Sequence, residues 1–335
     1  MANSTVSNPI KTSTMEIVCS TDNNYVMPTG VMICSLCENN HGEQIRFHIL
    51  SSDITDANKA SLERITSGYG QRIEFHKIND ADLADFPIGR EGQSSHISSL
   101  ATYYRLFLGD ILPDDIKRVI YLDGDIIVRG SLRPLWDLPM DGCAIAGAPD
   151  TANNGVEHYN RLLYPQSYGY FNAGVLVINL DYWRSHNVKE SFFKIAREHP
   201  ERLRCHDQDI LNYTFRTCKK RLDAKYNFQN DYLFEHQYQL LTYDIISEID
   251  AALDNPAVIH YITGPKPWQR DCIHPYRDEF TKYRDKTQWR GMKLTKGDPL
   301  KVKVKHFLVK KLVDFGFFKR ESYVAYKYRK DAKLK

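Results

Sequence analysis

Residues 121–125 read Tyr-Leu-Asp-Gly-Asp, closing an apolar run, Arg118-Val119-Ile120-Tyr121-Leu122. Two carboxylates one residue apart, where a buried strand runs out into a loop, repel each other unless a cation lies between them. Asp123-Gly124-Asp125 therefore reads as a metal clip. His260 offers a third ligand at the end of a short apolar segment, Val258-Ile259-His260. A lone histidine is more often a satisfied structural group. This one precedes the loop Tyr261-Ile262-Thr263-Gly264-Pro265-Lys266-Pro267-Trp268. One loop can thus bring an imidazole to a metal and the Lys266 ammonium to a phosphate. Two carboxylates, one imidazole and open positions suit Mn²⁺, with Mg²⁺ the harder alternative. No cysteine pair is placed to complete a structural zinc site with them.

The chain contains neither Gly-x-Gly-x-x-Gly nor Gly-x-x-x-x-Gly-Lys-Ser/Thr, so the usual phosphate-cradling loops are absent. A diphosphate would have to be neutralised by the metal and Lys266. That arrangement serves a nucleoside diphosphate leaving group, on which charge builds as it departs. Four segments read as apolar strands running into polar ends: Ser20–Asn24, Asp123–Asp125, Phe171–Gly174 and His260–Trp268. In open α/β sheets, ligands sit outside the carboxyl ends of the strands. Any one of these segments alone would pass as a surface turn; four together, one with a metal clip, point to a shared site.

The elements that must position these residues alternate. Ile17-Val18-Cys19 is a strand, residues 25–38 a helix, 45–50 a strand and 56–67 a helix opened by Asp56 and closed by Gly68. Residues 72–77 alternate like a half-buried strand. Further strands fall at 119–122, 126–128, 143–148 and 175–179, and helices at 98–108 and 207–215. Strand–helix alternation implies an α/β fold, a parallel sheet with covering helices. Boundaries of 1–14 for a loose polar extension, 15–294 for the catalytic body and 295–335 for a basic, aromatic-rich tail divide the chain.

Bulk composition agrees with a globular body of one large domain or two smaller ones: 335 residues, 42% hydrophobic and 26% charged. No apolar run reaches membrane-spanning length, and the first fourteen residues hold no apolar signal core. Seven cysteines, an odd and scattered number, imply a reducing compartment. Cys34-Ser35-Leu36-Cys37 sits beside Met32, Ile33 and Leu36, which makes its cysteines small core residues rather than a redox pair. The net charge of +3 hides an asymmetry: residues 296–335 hold 13 Lys+Arg against 4 Asp+Glu, leaving −6 on the rest. Val304, Leu308, Leu312 and Phe315 fall on one helical face with lysines around them. Such a segment can lie on an anionic membrane or dock on the body. Nucleic acid is the poorer partner for an acidic body without a recognition motif.

On these residues the chain resembles the family 8 glycosyltransferases, retaining enzymes of the GT-A fold, and within them the bacterial lipopolysaccharide α-galactosyltransferase and glucosyltransferase branch. The resemblance spans residues 15–294. It rests on Ile17-Val18-Cys19-Ser20-Thr21-Asp22-Asn23-Asn24-Tyr25, on His96-Ile97-Ser98 with Thr102-Tyr103-Tyr104-Arg105-Leu106, and on Val119–Asp125 with Ser131-Leu132. Tyr170-Phe171-Asn172-Ala173-Gly174-Val175, Asp207-Gln208-Asp209-Ile210-Leu211-Asn212, and His260-Tyr261 with Lys266-Pro267-Trp268 complete it. The resemblance implies a single Rossmann-like mixed sheet flanked by helices. It implies that Asp123, Asp125 and His260 bind Mn²⁺, that Asp22 and Asn24 hold uridine, and that Arg105 lies near the donor sugar and diphosphate. Asn172, Asp207 and Gln208 would surround the transferred sugar, Lys266 would contact the diphosphate, and Asp150 could serve the acceptor. One departure is visible. Thr263 stands where the family has glycine and Gly264 follows, so the resemblance implies Gly264 at the UDP-sugar on a loop whose backbone differs slightly.

The implied reaction moves galactose or glucose from a UDP-sugar to a glycan or lipid-linked sugar hydroxyl in cell-envelope or lipopolysaccharide synthesis, at the inner face of the cytoplasmic membrane. Retention needs two inversions or attack from the departing side. Gln208 is a poor nucleophile, which favours the second route, with Asp207 the alternative nucleophile. Each residue also has a plainer reading: Asp22 as an Asx-turn, Asp207 as a helix cap, Arg105 as a surface charge, Asn172 as a strand-end group. A metal-dependent nucleotidyltransferase is the competing class, and a non-catalytic sugar-binding relic a third.

Overall fold

The computed structural model describes residues 13–89, 99–233, 241–262, 264–272 and 274–297, with Val304, Leu308, Lys311 and Phe315 of the tail. His96-Ile97-Ser98, Thr263, Leu312 and most of both chain ends lie outside the described residues.

The apolar runs form strands buried on both faces. In β1 (Met15–Ser20), Ile17 and Cys19 join one core while Val18 joins the other. In β4 (Arg118–Leu122), Ile120 and Leu122 face the first side, and Val119 and Tyr121 the second. Continuous apolar strands of this kind belong in a sheet covered on both sides. The cover on one side is α1 (Val26–Asn39) and α2 (Asp56–Gly68), through Met32, Ile33, Leu36, Leu62 and Ile65. On the other are α6 (Leu180–Ser185), α7 (Val188–Glu198) and α8 (His206–Thr214), with Trp183, Phe192 and Ile210. The start of α2 is capped by Thr55, whose hydroxyl accepts from Asn58 N at 3.4 Å, one residue before the expected Asp56.

With β2 (Ile45–Ser51), β3 (Arg72–Lys77), β6 (Ile145–Pro149), β7 (Phe171–Asn179) and β8 (Lys219–Arg221), the main sheet has seven strands in the order β3-β2-β1-β4-β7-β6-β8. Strands β3, β2, β1 and β4 run parallel; β7 is antiparallel to β4 and to β6. The remaining elements are the short helices α3 (Leu108–Ile111), α4 (Arg133–Trp136) and α5 (Val156–Leu162), then α9 (Tyr243–Ala252) and α10 (Arg277–Arg284).

The mixed sheet flanked by helices matches the sequence reading, with three differences. The single sheet is accompanied by a second one, because the Asp-Gly-Asp turn carries the chain out of the main sheet. There β5 (Ile126–Val128), β10 (Val258–His260) and β9 (Phe228–Gln229) pair in the order β5-β10-β9. Secondly, Phe171–Gly174 does not end a strand but begins one. It reaches the same edge as Asp123 because β7 is antiparallel to β4, with Leu122 opposite Val175. Thirdly, the expected helix at 98–108 is a 3₁₀ segment, Leu100–Phe107, leading into α3. Among the described residues no helix is long and apolar enough to cross a membrane.

Candidate active site at the carboxyl edge of the sheet

The carboxyl ends of β1 and β4, the start of β7 and the end of β10 converge. Asp123 leaves β4 with its backbone N–H donating to Gly174 O at 2.9 Å. Gly124 makes the turn possible against α1, since a Cβ there would lie 2.7 Å from Thr29 Oγ1. Asp125 then sits opposite His260, whose Nε2 is 3.3 Å from Asp125 Oδ1 and 3.7 Å from Asp123 Oδ2. Gly174 is demanded by the same closeness: a Cβ would fall 2.1 Å from His260 Cε1 and 2.9 Å from Asp123 Oδ2.

The tautomer of His260 follows from its other nitrogen. Nδ1 lies 2.8 Å from Asn227 Oδ1, an acceptor, so Nδ1 carries a proton, and Nε2 is the nitrogen that faces the carboxylates: protonated, it donates to Asp125; deprotonated, it can bind a cation. Asn227 is oriented in turn, its Nδ2 donating at 2.9 Å to Asn172 Oδ1, which also accepts from Gly174 N at 2.9 Å. Asn227 ends a 3₁₀ turn, Ala224–Asn227, and was not singled out in the sequence. A Gly-x-Asn pattern or an amphipathic period would have drawn attention to it; neither is present.

Two cations close the site. Lys266 Nζ donates to Asp125 Oδ2 at 2.6 Å and to Tyr261 O at 2.5 Å. Burial works to raise the Asp125 carboxyl, but the charges and hydrogen bonds of Lys266 and His260 outweigh it and hold the group well below the usual carboxylate range. Arg105 is a buried bridge, not a surface charge. Its Nη2 donates to Asp123 Oδ1 at 2.7 Å, its Nε lies 3.0 Å from Asp207 Oδ2, and its Cζ stacks 4.1 Å above the Tyr121 ring. Asp207, 2% exposed, also accepts from Thr102 Oγ1. Burial pushes its carboxyl above the ordinary value against the pull of Arg105 and Thr102. Gln208 is pinned at both ends: Oε1 accepts from Ala173 N at 3.0 Å, and Nε2 donates to Asp150 Oδ2 at 2.8 Å.

The remaining expected residues stand at the margin. Asp22 Oδ1 accepts from Asn24 N at 2.9 Å and Tyr25 N at 3.0 Å, the Asx-turn that opens α1. Asn24 is exposed, and neither residue hydrogen-bonds to the acid cluster. Asn23, to which the sequence gives no role, ties this turn to the end of β2 through Asp53 O, Thr55 N and Asn58. Tyr25 meets Trp268 edge-on at 5.6 Å between ring centres. Gly264 is exposed, with nothing within 4 Å of a Cβ placed on it.

The donor set fits a divalent cation. One ligand atom from each of Asp123, Asp125 and His260 lies within 4.8 Å of the others. Adjacent ligands in an octahedral shell are about 3 Å apart, near the separations from Nε2 to the carboxylates. Oxygen-rich ligands with one imidazole, a fixed tautomer and a glycine where a side chain would intrude make a shaped cation site.

Comparison with known proteins identifies the family. The model of "Glycosyl transferase family 8" matches residues 16–272. A general stress protein A of Bacillus subtilis is 32% identical over 83% of this chain and 96% of its own length. The lipopolysaccharide glucosyltransferase WaaO of Escherichia coli is 28% identical over 90% of this chain and 88% of its own. Among solved structures, the galactosyltransferase LgtC in complex with donor and acceptor sugar analogues superposes with a TM-score of 0.74 at 30% identity, covering 87% of this chain and all of that one. These matches set aside the nucleotidyltransferase alternative. The chain belongs to glycosyl transferase family 8 and is a glycosyltransferase, with a nucleotide-sugar donor and a glycan acceptor as its substrate classes.

Proposed function

We propose that the enzyme transfers galactose or glucose from a UDP-sugar, with the anomeric configuration retained, to a sugar hydroxyl of a glycan or lipid-linked acceptor in cell-envelope or lipopolysaccharide synthesis. The names of the glucosyl- and galactosyltransferase relatives support the sugar and the acceptor class. The observation that carries the reading is the convergence of Asp123, Asp125 and His260 Nε2 with Lys266 and Arg105 beside them. A bound Mn²⁺, or Mg²⁺ as the alternative, would supply charge stabilisation to the departing diphosphate.

The chain's own groups divide the remaining work. Lys266 exchanges Asp125 for the donor's diphosphate, and its charge matters most as UDP leaves. Arg105 is a positioning residue that holds Asp123 through one nitrogen and Asp207 through another. Asp22 and Asn24 lie where the turn after β1 can meet uridine. Gln208 and Asp150 form a hydrogen-bonded pair for the transferred sugar and the acceptor. Asn172 supports the site through Asn227 and Gly174 rather than by touching the sugar. Gly264 contributes backbone alone.

Front-face attack, with the departing UDP oxygen taking the acceptor's proton, suits these contacts. Gln208 Oε1 is occupied by the Ala173 N–H, and the Asp207 oxygens face Thr102 and Arg105. Neither is presented as a nucleophile. For the tail, exposed Val304, Leu308 and Phe315 amid lysines support docking on an anionic membrane from the cytoplasmic side. The test is a screen of UDP-sugars with Mn²⁺ in which the released nucleotide and the product anomer are identified. UDP with a retained α-linkage is expected; pyrophosphate, or an inverted product, would overturn the proposal.

A further inference from the structure

Among the described residues one other group can hold a metal ion: His48, Glu74 and His76. They lie on β2 and on β3, the edge strand three positions from β4, or about 14 Å across at the usual strand spacing. The parallel register sets His48 opposite Glu74 and Leu50 opposite His76, so all three side chains project from one face. His48 is fully buried. Its Nδ1 lies 2.9 Å from His76 Nε2 and 3.7 Å from Glu74 Oε2.

We propose that His48 Nδ1, His76 Nε2 and a Glu74 carboxylate oxygen form a second metal site, of the Zn²⁺ class, that fastens the edge strand β3 to β2. The support around the ligands carries this furthest. His48 Nε2 lies 2.9 Å from Glu16 Oε2. A carboxylate there accepts a hydrogen bond from Nε2–H, so the lone pair of His48 is on Nδ1, facing His76 and Glu74. Glu16 is itself held by Arg46, whose Nε and Nη2 donate to its two oxygens at 2.8 and 2.7 Å. Zinc-binding histidines are commonly oriented by a carboxylate on their other nitrogen, and here Arg46 fixes that carboxylate. Arg46 Nη1 also sits 3.5 Å from Glu74 Oε1, which leaves Oε2 on the side of the imidazoles.

The geometry needs little adjustment. Ligand atoms in a tetrahedral zinc shell stand about 3.3 Å apart, given bonds of roughly 2.0–2.1 Å, so the two imidazoles would part by a few tenths of an ångström. His76 would carry its proton on Nδ1. Two imidazoles and a carboxylate with water in the fourth position is a set zinc accepts, whereas the oxygen-rich catalytic cluster suits a harder ion. Glu74 and His76 lie on the half-exposed edge strand, which gives the ion an entry path.

The test uses the full chain with Asp125→Asn, so that the catalytic cluster is disabled, stripped with a chelator and titrated with ZnCl₂ by calorimetry. One zinc per chain and a zinc-dependent rise in Tm are expected. Adding His76→Gln, or Glu74→Gln at the half-exposed position, should weaken zinc at least 100-fold with an unchanged circular dichroism spectrum. Glu16→Gln should weaken it 10–100-fold. Cobalt(II) should give the visible bands of a four-coordinate site that disappear in His76→Gln. No saturable zinc binding in the Asp125→Asn chain, or binding that both added substitutions leave intact, would overturn the proposal.

Discussion

Replacing Gly174 by alanine should cripple the metal site without unfolding the chain. The added Cβ would stand 2.1 Å from His260 Cε1 and 2.6 Å from Nδ1. Ordinary carbon contacts begin near ~3.5 Å, so the ring must retreat by roughly 1.4 Å. That displacement breaks the 2.8 Å bond between Nδ1 and Asn227 and carries Nε2 away from Asp125. Losing such second-tier support costs about 10–100-fold in metal affinity. A misplacement of about 1 Å at a reacting centre costs on the order of 10²-fold in rate. Gly174 has no left-handed backbone requirement, so alanine is tolerated by β7 itself. The assay is transfer rate against Mn²⁺ concentration, with circular dichroism and Tm as folding controls. Gly109→Ala is the reference, because its nearest neighbour atom would be 3.8 Å away. The half-saturating Mn²⁺ concentration should rise 10–100-fold in Gly174→Ala and stay unchanged in Gly109→Ala. Wild-type metal dependence in a folded Gly174→Ala would refute the reasoning.

Other expectations are as specific. Asn227→Ala removes the acceptor that fixes His260, so metal affinity should fall about 10–100-fold while substrate KM at saturating metal changes little, read from the same titration. Burial, then the nearby Asp150 charge, pushes the Asp231 carboxyl up to about 7. A carboxyl raised in the fold binds protons that the unfolded chain has released, so stability should fall as pH rises from about 4 to about 7. Asp231→Asn should flatten that part of a Tm-against-pH curve, and an unchanged slope would exclude Asp231 as its source. Truncation after Lys296 should release the protein from anionic vesicles in a sedimentation assay while leaving transfer to soluble acceptors intact; unchanged sedimentation would count against the membrane role.

The parts of the site legible in the sequence were those whose chemistry is local. Asp123-Gly124-Asp125 announces itself because two acids end an apolar strand, and His260 with Lys266 because one short loop carries both. Asp22 read equally well as a turn, and its Oδ1 does make one. What the sequence hid depends on distant partners. Asn227 acts on His260, 33 residues away, and on Asn172, 55 residues away, from a turn with no periodic signature. The direction of β7 relative to β4 is not legible either, since an apolar run carries no mark of which way it pairs; residues 171–174 read as a strand end and form a strand start. Arg105 and Asp207 each had a plausible surface role, and only the fold shows them paired and buried. Residues 126–128 and 258–260 show in the sequence as short apolar segments, but nothing in three residues reveals that they pair with each other and with Phe228-Gln229 in a sheet of their own.

The site stands or falls on Asp125→Asn. This substitution keeps the shape of the side chain but removes the charge that faces both His260 Nε2 and Lys266. Transfer from UDP-galactose or UDP-glucose should disappear at every Mn²⁺ concentration, with the circular dichroism spectrum unchanged. Transfer at the wild-type rate in the folded variant would contradict a metal centre built on Asp123, Asp125 and His260.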